Sequence, residues 1–132
     1  MSIATWKAEF YPTDNFADMS AEEAVRHSLQ KWKGLKHDQM QKHEVEWSQT
    51  GLCLVGIEEG RIRIDSDSCA LCYLYNDHYC ARCPLKQARA VRCDVPRDDE
   101  EASPWALRFK KPEAMIYWLE RTLEWLGEED HG

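Results

Sequence analysis

Apolar positions recur at helical spacing at both ends of the chain and alternate in its middle. A short helix is predicted over Ile3–Phe10, stopping before Pro12 because the residue ahead of a proline is pushed out of the helical region. Ser20-Ala21-Glu22-Glu23 has the form of a capping box, in which the Ser20 hydroxyl and the Glu23 carboxylate each take an orphan amide. Behind it Ala24, Val25, Leu29 and Trp32 mark one face of a second helix. Gly34 is expected to end that helix as a C′ residue, where positive φ carries no penalty. A further helical turn or two is expected over residues 36–43.

The period then changes. Leu52-Cys53-Leu54-Val55-Gly56-Ile57 is apolar and rich in strand formers, Glu58-Glu59-Gly60 supplies a turn, and Ile62 and Ile64 alternate with charged neighbours. This predicts a β-hairpin with one buried face, which must pack on helices to persist. Cys53, inside the apolar strand, reads as a core residue. Near the other end, Ser103-Pro104 reads as an N-cap and first-turn pair. Pro112 then opens the clearest helix, where Met115, Ile116, Leu119, Leu123 and Leu126 form a stripe flanked by Trp118 and Trp125, with Gly127 closing it.

These elements predict a single α+β domain, mainly helical, over residues 1–132. Residues 1–50 form a helical N-terminal part, 51–65 the hairpin, 66–97 a Cys-rich insert and 103–127 a helical C-terminal part. At 132 residues, 43% hydrophobic and with six tryptophans, the chain can bury one core and is not compositionally disordered. No stretch approaches the ~18 to 20 apolar residues of a membrane span. MSIATWKAEF carries Lys7 and Glu9 early and lacks the uninterrupted apolar run of a secretory signal. A reducing cytoplasm is therefore the expected compartment, where six cysteines favour metal ligation or thiols over a disulfide framework.

Four of those cysteines fall in two C-x2-C motifs, Cys69/Cys72 and Cys80/Cys83, separated by seven residues. Two-residue spacing lets both sulfurs of a motif converge on one ion, from a knuckle turn or from adjacent positions on one helix face. Asp67 or Ser68 can cap a short helix bearing the first motif, Asn76 and Asp77 favour a reversal, and Pro84 can open a helix after the second. Four thiolates are a preferred set for zinc, and a closed tetrahedral shell is structural rather than catalytic. Cys93 and His78 are reserve ligands. The seven-residue gap is shorter than is usual in zinc fingers, so other readings stand beside zinc: buried or paired thiols, a redox-active C-x2-C, or an iron–sulfur cluster, whose C-P ending Cys83-Pro84 echoes.

No hydrolase, P-loop or dinucleotide-binding motif is present, and the deaminase pairing of H-x-E with P-C-x-x-C is missing. A four-cysteine zinc leaves no open position for water, so a non-enzymatic role is expected. His27, near Val25 and Leu29, reads as a surface or core histidine rather than a base. The net charge of −7 repels phosphate backbones, yet residues 82–97 carry Arg82, Lys86, Arg89, Arg92 and Arg97 against Asp94 alone. That segment is either a solvated helix face balanced by Asp98, Asp99, Glu100 and Glu101, or a local nucleic-acid contact through Arg82, Lys86, Arg89 and Arg92.

Several strings together resemble a set of small proteins encoded by bacteriophages and prophage regions. They are E-F-Y-P at 9–12, H-S-L-Q-K-W-K-G-L at 27–35, S-C-A-L-C at 68–72, C-x-x-C-P at 80–84, the later Cys93, S-P-W at 103–105 and M-I-x-W-L-E at 115–120. The resemblance spans most of the chain and is strongest around the cysteines. It implies a bacterial or phage cytoplasmic setting and cysteines that belong to the fold, and it carries no established function. The leading expectation is thus a non-enzymatic accessory protein, stabilised by zinc, acting on a protein partner through Trp6, Trp47 and Trp105, which lie outside the main helical stripe. A nucleic-acid-binding regulator and a thiol redox sensor are the alternatives.

Overall fold

The computed structural model describes residues 3–13, 15–56, 60–64, 70–75 and 83–128. Among these residues, six helices and three strands follow in the order α1 (Ile3–Phe10), α2 (Ala21–Lys33), α3 (His37–Lys42), β1 (Val45–Trp47), β2 (Cys53–Gly56), β3 (Arg61–Arg63), α4 (Ala70–Tyr75), α5 (Pro84–Arg89) and α6 (Glu113–Glu128). The architecture is α+β and mainly helical, as the periodicities predict.

Helix α2 starts where its capping box sits: Glu23 N donates to Ser20 Oγ and Ser20 N to Glu23 Oε1, both at 3.1 Å. Its apolar face buries Ala24, Val25, Leu29 and Trp32, and it packs against α6, α4 and α1. Gly34 is not left-handed, as the helix-stop reading required. Its φ is −73°, and its role is space: a Cβ there would lie 2.4 Å from Phe10 Cγ. The Trp6 indole reaches the same turn, donating to Gly34 O at 2.8 Å. The absent side chain is what lets α1 seat on the end of α2.

The hairpin is present as β2 and β3, antiparallel, with Leu54 opposite Ile62. The tip, residues 57–59, lies outside the described residues. A third strand, unanticipated, pairs antiparallel with β2 and sets Val45 opposite Gly56 and Trp47 opposite Leu54. Its entry uses Glu44 at φ 57° and its exit Gly51 at φ 72°. A Cβ on Gly51 would meet both a left-handed backbone and Phe109 Cζ at 2.4 Å, so glycine is required there. Cys53 is buried, as expected of a core strand.

Helix α6 lays Met115, Ile116 and Leu119 into the core, while Leu123 and Leu126 are half-buried against it. Thr122, which no apolar pattern reveals, is fully buried and donates to Trp118 O at 2.6 Å. Gly127 does not close α6, which continues to Glu128. Upstream, Ser103 accepts from Ala106 N at 3.1 Å and starts the turn that leads into it. Among the described residues no helix is long and apolar enough to cross a membrane.

Candidate metal centre

Each C-x2-C motif contributes one described cysteine. Cys72 lies in α4; Cys83 immediately precedes Pro84 and is the N-cap residue of α5, itself extended with φ −64° and ψ 124°. Cys69, Cys80, His78 and Arg82 lie outside the described residues, as do the expected Asp67 or Ser68 cap and the Asn76-Asp77 reversal. The two helices are not a separate appendage. Ala70, Leu71 and Leu85 are core residues, with α4 against α2 and α5 against α6.

Cys72 and Cys83 line one cavity of about 440 Å³, and Cys93 lines it too. Ala90, left-handed at φ 75°, ends α5 and turns the chain toward Cys93, whose carbonyl accepts from Trp105 N at 3.2 Å. The apolar walls come from Trp32, Leu71, Trp105 and Leu119, and Lys31 reaches the cavity from α2 although only 1% of it is exposed. Lys86 and Arg92 also line it, the latter held by Asp94 at 2.9 and 2.8 Å. At the end of α4, burial pushes the Tyr75 phenol above its ordinary value, and electrostatic repulsion from Cys83 adds to the rise.

Sulfur donors of this kind, beside cationic side chains, are the chemistry of a thiolate-bound metal such as zinc. Among the described residues, however, no three of histidine, cysteine, aspartate and glutamate are arranged to hold an ion. A complete ligand set from this region would therefore need Cys69 or Cys80, or inward movement of the sulfurs toward the ~2.3 Å of a zinc–sulfur bond.

Among the described residues, the candidate nucleic-acid contacts Lys86, Arg89 and Arg92 do not form one basic face. Arg89 is buried, with its side chain 0% exposed, and is bound by Glu100 at 3.0 Å and by Val95 O at 2.8 Å. Its guanidinium also lies 5.0 Å from the Trp118 ring centroid. Lys86 lines the thiol cavity and Arg92 is engaged by Asp94. A helical-wheel reading of 82–97 misses this because Glu100, eleven residues on from Arg89, folds back over it.

The tryptophans expected at a partner surface are likewise inside or half-inside. Trp6 is fully buried; Trp47 and Trp105 pack against the core. Arg108 stacks over Trp105 at 4.3 Å and Phe109 at 4.5 Å, with its Nε donating to Gly51 O at 2.9 Å. Desolvation lowers the Arg108 pKa. Phe109, which abuts Gly51, is 51% exposed, and Leu52, next in sequence to Gly51, is exposed as well. His27 is buried between Tyr11 and Phe16, its Nε2 2.8 Å from Thr13 O, a core histidine. No protein-family model matches the chain, and no curated protein or solved structure is similar to it.

Proposed function

We propose that this is a non-enzymatic accessory protein, of the phage type its motifs resemble, in which the paired C-x2-C motifs hold a structural zinc and the surface binds another protein. The observation that supports the metal is that Cys72 and Cys83, one from each motif, line the same cavity. A closed thiolate shell would tie α4 to α5 across residues 76–82 and would hold no water for hydrolysis. The metal's contribution is cross-linking; the chain's own residues supply the donors and exclude solvent through Leu71 and Trp105.

Leu52 and Phe109 replace the tryptophans as the candidate contact, since both are apolar and exposed and Phe109 abuts Gly51, the residue before Leu52. The basic segment offers less to a nucleic acid, because Arg89 is buried in an ion pair. Two measurements test the reading. Elemental analysis of protein purified without chelator should give about one zinc per chain, and absence of metal would overturn the structural centre. Pull-down from bacterial lysate should recover a stoichiometric protein that Phe109→Ser loses; recovery unaffected by that change would remove the patch.

A further inference from the structure

The cavity beside the cysteines is larger than a packing defect. Its volume of about 440 Å³ is many times the ~30 Å³ of a water molecule, whereas close-packed interiors hold few voids above that size. It falls instead in the range of roughly 300–1,000 Å³ usual for small-molecule sites. We propose that it binds a small amphipathic carboxylate, with the apolar body among the buried side chains and the acid group at Lys86. The inference does not rest on the zinc.

Burial along the lining sets the polarity of the ligand. Leu71 of α4, Leu85 of α5 and Met115 and Leu119 of α6 are buried, so three helices supply one apolar wall. Trp32 and Trp105, edge to face with ring centroids 6.1 Å apart, add aromatic surface. Leu52 is exposed and Lys86 half-buried, so the same lining also reaches solvent. A ligand with an apolar body gains by leaving water for such a wall, while a polar head stays at the wetter part of the site.

Charge selects the head group. Among the described residues the lining carries Lys31, Lys86 and Arg92 against a single carboxylate, Asp94, in a chain whose net charge is −7. Asp94 is itself taken up by Arg92, at 2.9 and 2.8 Å. The described lining is thus cationic within an acidic molecule, which favours an anion and disfavours a cation of the same apolar bulk. Lys86 lies in the last turn of α5 and is partly open to water, so an acid group can reach it without entering the core. There a carboxylate accepts a charge-assisted hydrogen bond from the ammonium.

The test uses the full-length chain as purified, with decanoate as the probe and decanol as its uncharged match. Calorimetry should show one saturable decanoate site per chain, and tryptophan fluorescence should change in step because Trp32 and Trp105 line the cavity. Decanoate should bind roughly 10- to 100-fold more tightly than decanol, the range expected of hydrogen bonds to charged groups. Lys86→Met should bring decanoate down to the level of decanol and leave decanol unchanged, whereas Lys86→Arg should keep most of the preference. Zinc measured on the same sample keeps the two readings apart: binding by metal-free protein removes the zinc alone, and zinc-loaded protein that binds neither probe removes the cavity site alone. Absence of saturable binding, equal affinity for the two probes, or a preference that survives Lys86→Met would each overturn the proposal.

Discussion

Arg89 and Glu100 form a two-pronged ion pair, Nη1 to Oε2 and Nη2 to Oε1, both at 3.0 Å. The carboxylate also accepts from Arg97 N at 2.8 Å and from the Trp118 indole at 3.1 Å. One acidic side chain thus joins α5, the segment that follows it and α6. Its position explains why Arg89, one of the positive charges of the sequence stretch 82–97, is buried and paired in the fold.

Breaking this pair from one side should cost more than replacing both partners. Glu100→Leu leaves a guanidinium buried without its counter-ion, and about 3–5 kcal/mol of stability should be lost. Adding Arg89→Met removes the stranded charge and should restore a substantial part. Urea denaturation of the two single variants and the double variant gives the coupling; additive losses would mean that the pair is not the linking element.

Acid should weaken the fold through two carboxylates. For Glu100, burial raises the pKa, but the bonds from Arg89, Arg97 N and Trp118 outweigh it and hold the carboxyl below the ordinary glutamate range. For Glu9, the His43 hydrogen bond leads and the net shift is again downward. A carboxylate whose folded pKa lies below its unfolded value contributes stability above the unfolded value and loses it as pH falls through the folded one. Urea midpoints should therefore hold level from neutrality toward pH ~5 as far as these two groups are concerned, then fall as pH drops below about 4.5. Glu100→Gln should flatten that acid limb; an unchanged slope would show that the carboxylate does not contribute to it.

Two glycines should respond oppositely to alanine. At Gly34 the backbone is helical and accepts a side chain, but the new methyl would strike the Phe10 ring at 2.4 Å. Overpacking of this kind costs about 1–3 kcal/mol, and Phe10→Leu in the same chain should recover some of it. Gly127 lies exposed within α6 with nothing within 4 Å of a new Cβ, so alanine there should stabilise by about 0.5–1 kcal/mol. Thermal melts of the two variants separate the cases, and a shift of the same sign in both would contradict the packing at Phe10.

The elements that local chemistry specifies were legible before the fold was. The α2 capping box needs only Ser20 and Glu23, and Ile62 and Ile64 announce a strand through their alternation with charge. Strand β1 was not legible, because Val45-Glu46-Trp47 is too short to show a period and gains its partner only from β2. The burial of Trp6 and Arg89 was hidden for a related reason. Each depends on a partner distant in sequence, Gly34 for the first and Glu100 for the second. At the thiol site, the motif spacing suggests that the two motifs meet in space, and Cys72 and Cys83, one from each, line one cavity. It could not show that Lys31, forty-one residues before Cys72, would reach the same place.

Removal of the proposed zinc should act locally before it acts globally. The N-terminal half has its own fixings, the capping box of α2 and the Trp6 bond to Gly34, none of which involves a thiol. Helices α4 and α5 are six residues each, too short to persist without tertiary support. Chelator should therefore accelerate amide exchange first in Ala70–Tyr75 and Pro84–Arg89, while Ala21–Lys33 stays protected at the same temperature. Hydrogen exchange read by mass spectrometry, with and without chelator, resolves these peptides. Equal acceleration everywhere would mean that the centre supports the entire core, and no acceleration in α4 or α5 would mean that the thiols do not hold those helices through a metal.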